Sequence, residues 1–194
     1  VLLEVLQGEG GINVADTEYL QALRKLCTAK GWLLMIDEVQ SGIGRTGKWF
    51  GYQHAGIQPD VITLAKGLGS GVPIGACLAA GPAADVFTPG THGTTFGGGP
   101  LVSVAALATI QIMEEDGLLE HAEQMGQLIR AVLSRELAGI AGVKDIRGRG
   151  LMVGVELWKP CGELVAIARD KGLIINVTRD NVVRLLPPLV IKKE

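Results

Sequence analysis

Aromatic side chains are scarce in this sequence: Phe, Trp and Tyr together make only 4% of the 194 residues. Bases stack on aromatic platforms, so a nucleic-acid surface built that way is excluded. Charge of one sign is also missing. Eighteen Lys and Arg stand against 20 Asp and Glu, with no long run of either. That removes the electrostatic footprint of a nucleic-acid binder. No apolar run is long enough to span a bilayer. The longest, Leu101 to Met113, is interrupted by Ser103, Thr109 and Gln111. No secretory signal is visible. Cys27, Cys77 and Cys161 are odd in number, far apart and not in metal-ligand spacing. They are expected to be buried thiols of a protein in a reducing, cytoplasmic compartment. What is plentiful is apolar residues at 47% and glycine at 28 positions, without a collagen period. This is the composition of a globular chain with many close backbone approaches.

The hydrophobic pattern alternates between strand and helix. Val1–Leu6 reads as a buried strand followed by a turn at Gln7-Gly8-Glu9-Gly10-Gly11. Asp16 or Thr17 can cap a helix with Leu20, Leu23, Leu26 and Cys27 on its apolar face, stopped at Gly31. Trp32–Asp37 and Val61–Lys66 read as parallel strands buried on both faces, the first ending in an acid and the second in a lysine. Ile74–Ala80 reads as a third such strand. Helices are expected over 101–115 and 118–137, the second strongly amphipathic. The style then changes. Leu151, Val153, Val155 and Leu157 alternate with Met152, Gly154 and Glu156 as in a half-exposed strand. A short helix (163–171) and strands over 173–177 and 182–185 complete the chain. The expected fold class is α/β: residues 1–115 form one region, and 116–194 a smaller α+β one. The chain opens at Val1 inside an apolar run and closes at Glu194 after another, which reads as a piece of something longer.

Two chemistries compete at the first acidic strand end. Leu33-Leu34-Met35-Ile36-Asp37-Glu38 has the form of a Walker B strand. Gly42-Ile43-Gly44-Arg45-Thr46-Gly47-Lys48 fits the phosphate-loop pattern G-x-x-x-x-G-K. The ATPase reading fails at the next position, where Trp49 stands in place of the Ser or Thr that holds Mg²⁺. The order of the two motifs is also wrong for a nucleotide site. The other chemistry belongs to Lys66. A lysine closing a buried strand, followed by Gly67, Gly69 and Gly71, is placed to touch a ligand, and desolvation would free its amine for Schiff-base formation. A lone lysine is more often a snorkelling surface group. Asp37 and Gln40 shift the balance. A buried carboxylate keeps the ring nitrogen of pyridoxal phosphate (PLP) protonated, and an amide can reach the ring's phenolic oxygen.

The residues then become a family pattern. Asp37-Glu38-Val39-Gln40-Ser41-Gly42-Ile43-Gly44-Arg45-Thr46-Gly47, Pro59-Asp60, Lys66-Gly67-Leu68-Gly69 and Pro73-Ile74-Gly75 resemble the signature of class III PLP-dependent aminotransferases. Lys66 follows Asp37 by 29 residues, as in that family. The segments 7–11, 92–98, 146–151 and 184–189 match in order, so the resemblance covers the whole chain. Within the class the motifs are most similar to those of acetylornithine aminotransferases, and ornithine, succinylornithine and 4-aminobutyrate aminotransferases share them.

The resemblance implies a fold-type-I PLP enzyme: the second half of a large, mostly parallel-sheet domain plus most of a small C-terminal domain. It implies that Lys66 holds the cofactor as a Schiff base and shuttles the proton. Asp37 would pair with the ring nitrogen, Gln40 contact the phenolic oxygen and Val39 pack on the ring. Thr95 would reach the cofactor phosphate of the partner subunit in a homodimer. Glu9, Arg184 and Thr94 would contact substrate, the donor being N-acetylornithine and the acceptor 2-oxoglutarate. Glu9 and Arg184 are expected to pair while a terminal amine reacts and to part when glutamate binds. Arg45 is expected to be structural, and His54, His92 and His121 to be packing or surface residues. One departure is Gly98-Gly99-Pro100, where the family usually has Asn between Gly and Pro. The family's main phosphate loop, stacking aromatic ring and α-carboxylate arginine are expected outside this chain, which alone is expected to hold PLP poorly.

Overall fold

The computed structural model describes residues 1–193. In chain order the elements are β1 (Leu2–Leu3), β2 (Leu6–Gln7), β3 (Asn13–Val14), α1 (Thr17–Lys30), β4 (Met35–Asp37), β5 (Val61–Leu64) and β6 (Ala76–Ala79). They continue with α2 (Pro100–Glu115), α3 (Leu118–Glu136), β7 (Val143–Arg149), β8 (Met152–Leu157), α4 (Leu164–Asp170), β9 (Asn176–Thr178) and β10 (Val182–Leu185). Short 3₁₀ turns cover Gly51–Ala55, Lys66–Gly69 and Gly81–Ala83. No described helix is long and apolar enough to cross a membrane.

Local chemistry sets the helix bounds. Asp16 caps α1 by accepting the Tyr19 N–H, and Gly31 ends it in the left-handed conformation at φ 65°. Leu20 and Cys27 are buried beneath it, while Leu26 points to solvent, contrary to the expected apolar face. Pro100 opens α2 at its first turn, where the missing N–H costs nothing. Asp116 lies in the sharp connection between α2 and α3.

Two four-stranded sheets organise the chain. The first runs β1-β4-β5-β6. β1, β4 and β5 are parallel, with Asp37 opposite Thr63. β6 is antiparallel to β5 and lies at the sheet edge with its residues largely exposed, unlike the buried third strand the Ile74–Ala80 pattern suggests. Edge position also explains Cys77, which is exposed rather than buried; Cys27 and Cys161 are buried as expected. The second sheet, β7-β8-β10-β9, is antiparallel throughout.

The expected strand 1–6 divides in two. β1 pairs with β4, then the chain turns so that Val5 enters the first core and Leu6 pairs with Val14 in a separate β2–β3 ribbon. That ribbon rests on the second sheet. Leu6 and Ile12 pack against Met152, and Arg147 donates to the carbonyls of Gly11 and Ile12. The same contact overturns the half-exposed reading of β8. Met152 to Val155 are all buried, because one face meets the ribbon and the other turns toward α3 and α4.

Helix α3 lies against the turn between β7 and β8 at Gly126. A Cβ built there would stand 2.0 Å from the Gly150 carbonyl oxygen. Glycine costs a helix interior about 1 kcal/mol relative to alanine, so close approach is its only warrant here. Gly126→Ala should therefore lower the thermal midpoint, with an overpacking cost of about 1–3 kcal/mol exceeding the helix-propensity gain. An unchanged or raised midpoint in calorimetry would contradict this packing.

Candidate active site

Parallel pairing of β4 and β5 brings two functional strand ends to one edge of the sheet. Asp37 is the last residue of β4. Its Oδ1 accepts the Val39 N–H at 2.9 Å and the Thr63 hydroxyl at 3.2 Å. Oδ2 accepts no hydrogen bond from the described residues. Lys66 follows β5 by two residues and opens the 3₁₀ turn with φ 43°, in the left-handed region that non-glycine residues seldom enter. Its Nζ makes no hydrogen bond or ion pair with a described residue.

Lys66 lines a cavity of about 210 Å³ together with Glu9, Val39, Gln40, Ile43 and Arg184. Ile43 is itself left-handed at φ 52°, a costly conformation for a β-branched residue. Two residues with left-handed backbone thus line one small space. Close backbone approach shapes another wall: a Cβ on Gly8 would meet the Gln40 amide oxygen at 2.3 Å, so only glycine leaves that side chain its place.

Across the cavity Arg184, in β10, meets Glu9, in the turn between β2 and β3. Arg184 Nη1 donates to Glu9 Oε1 at 2.7 Å and lies 3.4 Å from Gln40 Oε1. Its Nε donates to Asn176 Oδ1 at 2.8 Å. The arginine side chain is only 11% exposed, whereas that of Glu9 is 70% exposed. The Thr178 hydroxyl donates to the Glu9 carbonyl and tethers that turn to β9.

The model of the family described as "Aminotransferase class-III" matches residues 1–194. The chain is 65% identical over all of its length to acetylornithine aminotransferase 1 of Bordetella pertussis, covering 49% of that protein. An ornithine aminotransferase from Toxoplasma gondii, solved with partial occupancy of PLP at its active site, superposes with a TM-score of 0.93. It is 39% identical, over 99% of this chain and 47% of that one. The acetylornithine aminotransferase of Elizabethkingia anophelis gives a TM-score of 0.92 at 34% identity, over 98% and 49%.

The chain belongs to the class-III aminotransferases.

It spans about half the length of the curated relatives it matches. Its α/β fold, with a mostly parallel first sheet and an antiparallel second one, is the fold of the structures it superposes on.

The free polar atoms at the site suit the cofactor of this family. Lys66 Nζ, Asp37 Oδ2 and the Gln40 amide nitrogen all lack partners among the described residues. They are an amine for covalent attachment, an acceptor for a ring N–H and a donor for a phenolic oxygen. Asp37 does not line the Lys66 cavity itself, lying one step behind it at the strand edge. Thr94 and Thr95 are not brought to the cavity; both sit in an exposed loop, where the Thr94 hydroxyl accepts the Gly97 N–H and closes a turn. Arg45 is held by main-chain carbonyls, donating to Pro187 at 2.5 Å and lying 3.5 Å from that of Leu151, the structural role expected of it. Lys48, the lysine of the phosphate-loop pattern, opens no α-helix.

Sequence reasoning missed Glu38, which is 1% exposed. It accepts the Ser41 hydroxyl at 2.6 Å and the N–H groups of Gly51 and Tyr52, each at 2.9 Å. Burial raises its carboxyl above the ordinary value, against the lowering effect of those three donors. Glu38 ties the loop 41–52 back to the strand end that carries Val39 and Gln40. The motifs include Glu38 but give it no role, because two of its three partners are main-chain groups. Glu38→Gln should destabilise the fold by about 1–3 kcal/mol, since its amide nitrogen cannot accept from an N–H. A thermal midpoint equal to the parent's would show that the loop does not depend on this carboxylate.

Proposed function

We propose that the whole protein containing this chain is a cytoplasmic, PLP-dependent aminotransferase. It moves the terminal amino group of N-acetylornithine to 2-oxoglutarate, giving N-acetylglutamate 5-semialdehyde and glutamate. The observation that carries this reading is the unpartnered Lys66 amine facing the Glu9–Arg184 pair across one cavity. The names of relatives 54% and 65% identical to this chain support the acetylated donor. The similarity to ornithine aminotransferase structures favours ornithine as the second candidate.

Bound at this site, PLP would supply an electron sink for the carbon that loses a proton. Lys66 would hold the cofactor covalently and, once the amino substrate displaces its amine, would be the base placed to take that proton and return it. Asp37 Oδ2 would be the acceptor for the protonated ring nitrogen. Gln40 would donate to the phenolic oxygen, and Val39 would wall the ring. Thr95, exposed and outside the cavity, serves the cofactor phosphate of a partner subunit in a homodimer. Thr94, beside it in the same exposed loop, would contact substrate. Residues 1–115 and 116–194 act as two domains that meet at the cavity.

Glu9 and Arg184 resolve a substrate conflict. Glutamate reacts through its α-amino group and brings a carboxylate beside the reacting carbon, while a terminal amine brings only methylene there. A guanidinium awaiting glutamate would be bare in the other half-reaction, at a cost of several kcal/mol when buried. Glu9 neutralises it. Because Glu9 is exposed and Arg184 is not, the carboxylate is the partner that swings away. Arg184→Ala should slow the glutamate half-reaction by about tenfold or more and spare the terminal-amine one. Glu9→Ala should shift preference toward glutamate. Single-turnover absorbance changes with each substrate separate the two, and equal losses in both half-reactions would end the switch.

A further inference from the structure

A second cavity, of about 620 Å³, shares no lining residue with the one described at Lys66. Its charged and titratable lining is Lys48, His54, Glu123, Arg130, Arg147 and Arg149. These come from the loop after β4, from α3 and from the edge strand β7. The loop 42–48 lies between the two cavities, with Gly42, Ile43 and Arg45 on the Lys66 side and Gly47 and Lys48 on this one.

The cations here are poorly matched. Arg147 is neutralised by Asp145 at 3.0 Å and Glu156 at 2.5 Å. The other three have no carboxylate partner. Lys48 reaches only the Gln53 carbonyl at 3.3 Å, and Arg130 only the Gly150 carbonyl at 3.2 Å. The Arg149 guanidinium makes no hydrogen bond or ion pair with any described residue. Against these three stands one lining carboxylate, Glu123, which is itself engaged by Gln127 at 2.7 Å. The field is felt locally. Burial, and after it Arg149 and Lys48, hold His54 below its ordinary value despite the Thr46 carbonyl and Glu123. Arg130 is lowered by burial and by Arg149, with Glu123 opposing. Three cations without a carboxylate partner around one open space favour a negative group between them.

We infer that this cavity is an oxyanion site for a group carrying two or more negative charges on phosphate or carboxylate oxygens, held by Lys48, Arg130 and Arg149. Guanidinium forks suit such oxygens, and a lysine adds a point charge. The oxyanion is either a free small molecule or carboxylates from the part of the polypeptide outside this chain.

The test uses the whole protein saturated with PLP, so that the cofactor's own phosphate site is filled. Inorganic pyrophosphate and citrate are titrated calorimetrically at low salt into the parent, Arg149→Gln and Lys48→Gln forms, and the thermal midpoint of each is measured without added anion. If the oxyanion is free, at least one probe binds the parent, and Arg149→Gln weakens it by about tenfold to a hundredfold. If it belongs to the polypeptide, neither probe binds, and Arg149→Gln lowers the midpoint by stranding a carboxylate. Lys48→Gln removes an exposed side chain and repeats both readings should Arg149→Gln fail to fold. The inference is overturned if a probe binds parent and variants alike. It is equally overturned if no probe binds and the midpoint stays or rises on removing a cation, as relief of simple repulsion requires.

Discussion

The parallel pairing of β4 with β5 is the constraint on which the site depends. It sets Asp37 opposite Thr63, so one strand ends in a carboxylate beside the strand that delivers Lys66. Parallel strands expose their carboxyl ends at one edge, and the crevice there is the usual place for a ligand in an open α/β sheet. Apolar burial holds the pairing. Leu34, Ile36, Ile62 and Leu64 all enter the same core, with Leu20 and Cys27 of α1 laid over them. The chemistry therefore stands on a rigid sheet edge, while the strained backbone at Ile43 and Lys66 is confined to the loops beyond it.

The second constraint runs between the two sheets. Glu9 belongs to a ribbon that leaves the first sheet after β1, and Arg184 to the second sheet, yet they meet at 2.7 Å. Buried packing of Leu6 and Ile12 on Met152, with Arg147 clamping the ribbon's carbonyls, fixes this meeting point. The ion pair is a consequence of that packing rather than its cause, since an exposed carboxylate contributes little to stability. A pair that the fold does not need is free to serve as a switch.

Much of the site was legible in the sequence because its signals are local. A run of apolar residues ending in Asp37, another followed by Lys66, and the caps at Asp16 and Gly31 each declare themselves within a few residues. Glu9 and Arg184 are 175 positions apart and were joined only through resemblance to a family. What stayed hidden depends on tertiary partners. Nothing local says that β8 is covered on both faces, that the first apolar run divides between two sheets, or that β6 runs antiparallel and leaves Cys77 exposed. Glu38 was hidden for a different reason: it binds mostly main-chain N–H groups, which every sequence possesses.

Lys66 as the proposed covalent anchor of PLP, lining one cavity with Gln40, is the central claim. The most direct measurement is borohydride reduction of the whole protein after incubation with PLP, followed by proteolysis and mass spectrometry. The account predicts a pyridoxyl adduct on the peptide containing Lys66 and none on that peptide when Lys66 is replaced by alanine. An adduct confined to another lysine, or no adduct in a protein that binds PLP stoichiometrically, would contradict it.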